Sequence, residues 1–257
     1  AAGKVILFGE HAAVYGRHAL ALPIPNAVSV AVERTESATS LAIPAWDIAG
    51  KIDRDNPQGV DAAIALILQQ LDLQAAEFAI SVDSRLPRAM GLGSSAAFAV
   101  AIVRAFDNLL GLSLDDARVN EIAFDCEKLA HGSPSGVDNT LATFARPMLF
   151  CNGRSFRSEE LELAQTPPIV IACSHRQGAT HEQVAGVRAR YEQQRTAYAA
   201  IFEQVDALSI AGAEALVAGD YAALGQLMNV CQGLLNALGV STPELERMIG
   251  IARDAGA

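Results

Sequence analysis

A chain of 257 residues, 51% of them hydrophobic, can bury a substantial core as one large domain or two smaller ones. Its formal net charge of −10 argues against nucleic acid or an anionic membrane as the main partner. The 4 cysteines, Cys126, Cys151, Cys173 and Cys231, form no Cys-x-x-Cys pair, which argues against a zinc site or a disulfide framework and suits free thiols in the cytoplasm. No apolar run approaches the length of a membrane span, and no signal peptide is visible.

In chain order, residues 4–8 predict a buried strand ended by Gly9, and 19–22 and 27–32 predict two more. Residues 35–58 are polar and turn-rich. A helix is expected over 60–71 and a strand over 78–82. Ser94 and Ser95 open an Ala-rich helix, with serine as its N-cap, that runs to about Leu110 and stops at Gly111. Ser113-Leu-Asp-Asp116 has the capping-box pattern, and the helix behind it carries Ile122, Cys126 and Leu129 on one face. After a loop over 132–139, residues 140–151 alternate as a strand and Asn152-Gly153 marks a turn. Pro167-Pro168 precedes a strand at 169–173. From Thr180 the chain is mostly helical, over about 181–208, 210–218 and 221–238, with a last helix capped by Thr242-Pro243-Glu244. Strands mixed with helices, then mainly helices, give an α+β chain with domains over 1–164 and 165–257.

Between the strand at 78–82 and the Ala-rich helix stands Pro87-Arg-Ala-Met-Gly91-Leu-Gly93-Ser-Ser-Ala-Ala97. A glycine-rich loop running into a helix points unpaired N–H groups and the positive end of the helix dipole at one spot. That is an anion site, with phosphate as the expected occupant, and a hydroxyl here can also reach a phosphate-bound Mg²⁺. No Gly-Lys-Ser/Thr closes the loop, so it is not a Walker A loop. Taken alone, the same residues suit a turn that merely caps a buried helix.

Lysine occurs only at Lys4, Lys51 and Lys128, so a lysine inside a motif is not surface filler. Lys4 stands at one end of its strand and Glu10-His11 at the other, roughly 17 Å away for five residues. Glu127 falls near the end of a helix, where the dipole disfavours a carboxylate and a metal ion would compensate. Asp138 follows Gly132-Ser-Pro-Ser-Gly136-Val and reads either as a positioned base or as an Asx-turn residue.

Together, Lys4 with Gly9-Glu-His-Ala-Ala-Val-Tyr-Gly16, the Gly91-Leu-Gly-Ser-Ser95 element, and Glu127 with His131-Gly-Ser-Pro-Ser-Gly-Val-Asp-Asn139 resemble the GHMP small-molecule kinases, and among them the mevalonate kinases. Thr180-His-Glu-Gln-Val-Ala-Gly-Val-Arg188 is similar to a further motif of that family. The resemblance implies a two-domain GHMP kinase fold, an N-terminal mixed sheet with helices and a helix-rich α+β C-terminal domain. It implies ATP- and Mg²⁺-dependent phosphorylation of the 5-hydroxyl of mevalonate, in isoprenoid precursor synthesis. Gly91, Leu92, Gly93, Ser94, Ser95 and Ala96 would hold the ATP phosphates, and Ser95 and Glu127 would ligate Mg²⁺. Asp138 would take the hydroxyl proton while Lys4 orients it and favours its ionised form. Glu10, His11, Ser135, Gly136 and Thr180 would contact mevalonate.

Two departures stand out. Ala145-Arg146 occupies a place where the family usually has a Gly-Gly turn. A second Gly-rich loop of the family does not occur before Ala257, so the C-terminal domain is expected to be incomplete, as both chain ends suggest. The rival readings are another GHMP kinase, such as phosphomevalonate kinase, or a non-catalytic relative that binds ATP or an isoprenoid. The presence of Lys4, Glu127 and Asp138 together favours the enzyme. The oligomeric state stays open, with a homodimer as one expectation.

Overall fold

The computed structural model describes residues 1–87, 90–152, 156–163, 165, 167–174 and 180–256. The chain divides into two compact units, Ala1–Val5 with Pro23–Ala145, and Ile6–Leu22 with Arg146–Ala257. Strands β1 (Gly3–Phe8) and β2 (His18–Ile24) each contribute residues to both. The second unit thus takes in the stretch from Ile6 to Leu22 together with everything from Arg146 on.

The first unit holds a sheet of β3 (Val28–Arg34), β4 (Ser40–Ile43), β5 (Ile48–Lys51) and β6 (Phe78–Ser84), in the order β3-β6-β4-β5. In β6 strict alternation buries Phe78, Ile80, Val82 and Ser84. β3 pairs antiparallel with β6, setting Val30 opposite Val82, and β4 runs parallel to β6. The β4–β5 hairpin lies within the stretch that composition marked as turn-rich. Its four-residue strands offer too few inward side chains for a period of two to show.

Among the described residues this unit also holds the helices α1 (Val60–Gln70), α2 (Ser94–Leu110), α3 (Asp116–His131) and α4 (Val137–Phe144). Every residue from 96 to 103 is buried, so α2 is central, packed against β3, α3 and α4. Its Phe106 meets Phe78 edge-on at 4.8 Å, and full burial of such a ring contributes about 1.5–3 kcal/mol. Left-handed Gly93 caps the start of α2 where serine was expected, and Gly111 ends it as anticipated. At α3 the cap is Asp115, whose carboxylate accepts from the Arg118 N–H. Ser113 is left-handed, with φ 57°, and so cannot fill the extended N-cap position its motif suggested. Ile122 and Cys126 are buried on α3, but Leu129 is 57% exposed.

The largest revision is α4. Residues 140–151 alternate in composition, yet Val137–Phe144 is helical and the strand is only β7 (Met148–Asn152). Val137 and Leu141, one helical turn apart, are both fully buried. The helix ends on Ala145, left-handed at φ 51°, whose N–H reaches the Leu141 carbonyl. This is the position where the family usually has glycine, and an L-residue there is strained by about 1–2 kcal/mol. Ala145→Gly is therefore expected to raise the melting temperature. An unchanged or lower value in scanning calorimetry would remove the strain.

In the second unit the sheet order is β1-β2-β7-β8, with β8 at Phe156–Glu160. β2 and β7 are antiparallel, with Leu20 opposite Leu149. Helices α5 (Thr180–Gln193), α6 (Arg195–Ala218), α7 (Tyr221–Ala237) and α8 (Pro243–Asp254) follow. The break expected near 209 falls instead at Gln194. Buried Ser209 stays inside α6 because its hydroxyl is satisfied by the carbonyls of Val205 and His18. Gly212 of α6 admits the Phe8 ring, since a Cβ there would stand 2.6 Å from Cε2. Thr242 caps α8 as anticipated, accepting from the Leu245 N–H. Residues 169–173 carry no regular secondary structure, and Val170 is 95% exposed. Their β propensity is real, but a strand forms only against a ladder partner.

Candidate active site

The glycine loop and Lys4 are joined by backbone as well as by side chain. The Lys4 N–H donates to the Leu92 carbonyl at 2.9 Å, docking the start of β1 on the loop. The Lys4 side chain then lies across Gly93. A Cβ there would fall 2.9 Å from Lys4 Cγ, and φ is 71°, so position 93 requires glycine twice over. Ser94, Ser95 and Ala96 form the first turn of α2, with no side chain capping it. Their N–H groups are the donors a helix leaves unpaired at its start. Gly91, left-handed and exposed, has open space beside it.

Lys4 reaches from this loop to Asp138, with Nζ 3.2 Å from Oδ1. Asp138 lies in the first turn of α4 and not at the end of a loop, so it meets the positive end of a helix dipole as well as the ammonium. Gly136, left-handed at φ 92°, is the N-cap of α4, and the Ser135 hydroxyl accepts from the Val137 N–H. Glu127 of α3 is only 2% exposed. Burial, then the charge of Asp138, pushes its carboxyl up to about 7, against the pull of the Ser95 hydroxyl and Lys4. Desolvation, more than the helix dipole invoked from sequence, is thus what disfavours its charge. His131 stands one turn further on, Nε2 3.6 Å from Glu127 Oε2, and burial lowers its pKa. His131 lay inside a motif but drew no role from the sequence.

A second feature escaped the sequence. Asn139, 3% exposed, donates from Nδ2 to Asn120 Oδ1 at 2.7 Å, tying α4 to α3 beside the two carboxylates. No local pattern links positions 120 and 139, because the contact is created only by helix packing.

Glu10 and His11 belong to the second unit. They leave β1 through Gly9, where a Cβ would stand 2.4 Å from the His18 carbonyl oxygen. His11 adopts φ 62° ahead of the 3-10 turn Ala12–Tyr15, and burial, then Arg190, lowers its pKa. Glu10 lies near Cys231, whose thiol burial and that carboxylate push up to about 12. Tyr15 stacks on Phe202 at 4.2 Å. Thr180 opens α5, and its side chain lies outside the described residues.

Model matches and relatives agree in kind. The GHMP kinases N terminal domain matches residues 59–146, and the GHMP kinases C terminal domain matches 212–257. The mevalonate kinase of Pyrococcus abyssi is 34% identical over 100% of this chain and 82% of its own length. That of Methanothermobacter thermautotrophicus is also 34% identical, over 100% of this chain and 83% of its own length. The chain belongs to the mevalonate kinase family of GHMP kinases. The crystal structure of L. major mevalonate kinase in complex with R-mevalonate superposes with a TM-score of 0.80 at 29% identity, covering 100% of this chain and 80% of that one. The fold is thus the GHMP kinase fold, and the protein is an ATP-dependent small-molecule kinase.

For a kinase of this family the metal question is chemical. Among the described residues no group of three His, Cys, Asp or Glu side chains stands ready to hold an ion by itself. Ser95 and Glu127 instead offer a hydroxyl and one buried carboxylate, with Asp138 close enough to raise the pKa of Glu127. Hard oxygen donors that leave positions for phosphate and water fit Mg²⁺. Among the described residues no helix is long and apolar enough to cross a membrane.

Proposed function

We propose that the protein transfers the γ-phosphoryl group of ATP to the 5-hydroxyl of mevalonate. The observation that carries the reading is the Lys4–Asp138 pair, 3.2 Å apart, on the same loop-and-helix framework as the uncapped start of α2. The N–H groups of residues 91–96 hold the nucleotide phosphates. The hydroxyl oxygen attacks the γ-phosphorus, the bond to the β–γ bridging oxygen breaks, and ADP leaves. Asp138 accepts the hydroxyl proton, and Lys4 holds that carboxylate in place and offsets charge on the transferred group. Ser95 and Glu127 hold Mg²⁺, which when bound neutralises phosphate charge. Little covalent chemistry is asked of the protein, since positioning and electrostatics supply most of the rate.

The family motifs assign Glu10, His11, Ser135, Gly136 and Thr180 to mevalonate. On this reading the product feeds isoprenoid precursor synthesis, and the protein works in the cytoplasm. A coupled ADP-release panel tests the substrate. Mevalonate is expected to turn over far faster than phosphomevalonate, homoserine or galactose. Equal or better turnover on any of those three overturns the substrate assignment.

A further inference from the structure

Both carboxylates of the site sit on helices, Glu127 on α3 and Asp138 on α4, and their spacing depends on how those helices meet. α4 has only 8 residues, too short to hold a direction by its own hydrogen bonds. Val137, Leu141 and Ala142 bury its apolar side, which fixes where it docks. Directional contacts add to that: Arg104 donates to the Thr143 carbonyl at 3.3 Å near its end, and Asn139 is tied near its start. Asn139 Nδ2 donates to Asn120 Oδ1 at 2.7 Å and approaches the Asn120 carbonyl oxygen at 3.5 Å. The remaining amide oxygen, Asn139 Oδ1, is buried with no hydrogen-bond partner among the described residues. Losing Asn120 therefore leaves the Asn139 side-chain amide with no hydrogen-bond partner among the described residues.

We infer that Asn120 is a positioning residue for Asp138. It acts through Asn139, the next residue along the first turn of α4, and touches no reacting group itself. Neither amide titrates, so the restraint is the same at every pH at which the protein is folded. The inference rests on Asp138 being the base, and a displacement of about 1 Å at such a group can lower turnover on the order of 10²-fold.

The test is steady-state kinetics and melting temperature on Asn120→Ala, Asn120→Asp, Asn139→Ala and the Asn120→Ala, Asn139→Ala double variant. Asn120→Ala is expected to lose about 10- to 100-fold in kcat, with KM for ATP within about twofold of wild type. Asn120→Asp keeps the accepting oxygen and is expected to recover most of that loss. The double variant is expected to lose no more than the worse single, because both remove one bond. If Asn120→Ala does not fold, Asn120→Ser, too short to reach Asn139, must show the same loss in kcat. A folded Asn120→Ala or Asn120→Ser with wild-type kcat overturns the inference even if its melting temperature falls. So does Asn120→Asp as impaired as the truncation, or losses that multiply in the double variant. Asp138→Asn separates the two levels. If it keeps near-normal activity the base reading itself fails, whereas an inactive Asp138→Asn beside a normal Asn120→Ala sinks only the role of Asn120.

Discussion

Asp138→Asn and Lys4→Met are each expected to lower kcat by on the order of 10²–10⁴-fold, and the double variant by little more than either alone. Lys4 Nζ is 3.2 Å from Asp138 Oδ1, and in the proposed function the two share one proton transfer, so their losses are not expected to add. Lys4 is also 8% exposed, and Lys4→Met keeps most of the apolar stem that packs across Gly93 while removing the ammonium group. ATP binding is expected to change little, because the proposed function gives the phosphates to the first-turn N–H groups of α2 and not to this pair. If Asp138 served only to start α4, its substitution would lower stability and leave kcat near normal in the folded fraction. Melting temperature and kcat taken on one preparation distinguish the two. A well-folded Asp138→Asn within a few-fold of wild type ends the general-base role.

The second large effect is on stability against pH. The Glu127 carboxyl is raised from its ordinary 4.5 to about 7, first by burial and then by Asp138. Its folded-state pKa therefore lies above its unfolded value. The folded chain binds the extra proton, and the resulting stabilisation is complete below 4.5 and lost as pH rises through about 7. A shift of that size corresponds to about 3 kcal/mol across the window. Wild-type protein without ligand is thus expected to lose more stability from pH 5 to 7.5 than Glu127→Gln does, the lowered pKa values of His11 and His131 acting the opposite way in both. Mg²⁺ with a non-hydrolysable ATP analogue is expected to work the other way, because a cation held at Glu127, as proposed, favours the ionised carboxylate. Glu127→Gln should accordingly raise the Mg²⁺ concentration needed for half-maximal activity. Parallel melting profiles for the two proteins, or an unchanged Mg²⁺ requirement, would take Glu127 out of the site.

What the sequence disclosed followed from how locally each feature is encoded. Gly93 was legible because its left-handed backbone and the close approach of Lys4 both demand glycine. Thr242-Pro243 announced α8 because a cap bond spans only three residues. Asp138 was singled out through its motif but misplaced in a loop, since Gly132, Pro134 and Gly136 read as a longer irregular stretch than the one that ends where α4 begins. Glu127 was singled out for the wrong physical reason: helix position is visible in sequence, whereas its burial arises from packing around α3. The Asn120–Asn139 bond was invisible for the same reason. Residues 169–173 show the converse, an apolar run whose strand propensity found no ladder.

The account stands most directly on what happens to the phosphoryl group, and phosphorus NMR of the protein with ATP, MgCl₂ and mevalonate follows it atom by atom. One new phosphomonoester signal is expected to grow in step with ADP, to need mevalonate, and to be nearly absent with Asp138→Asn. ADP appearing with inorganic phosphate and no phosphomonoester, or an undiminished phosphomonoester signal from Asp138→Asn, would contradict it.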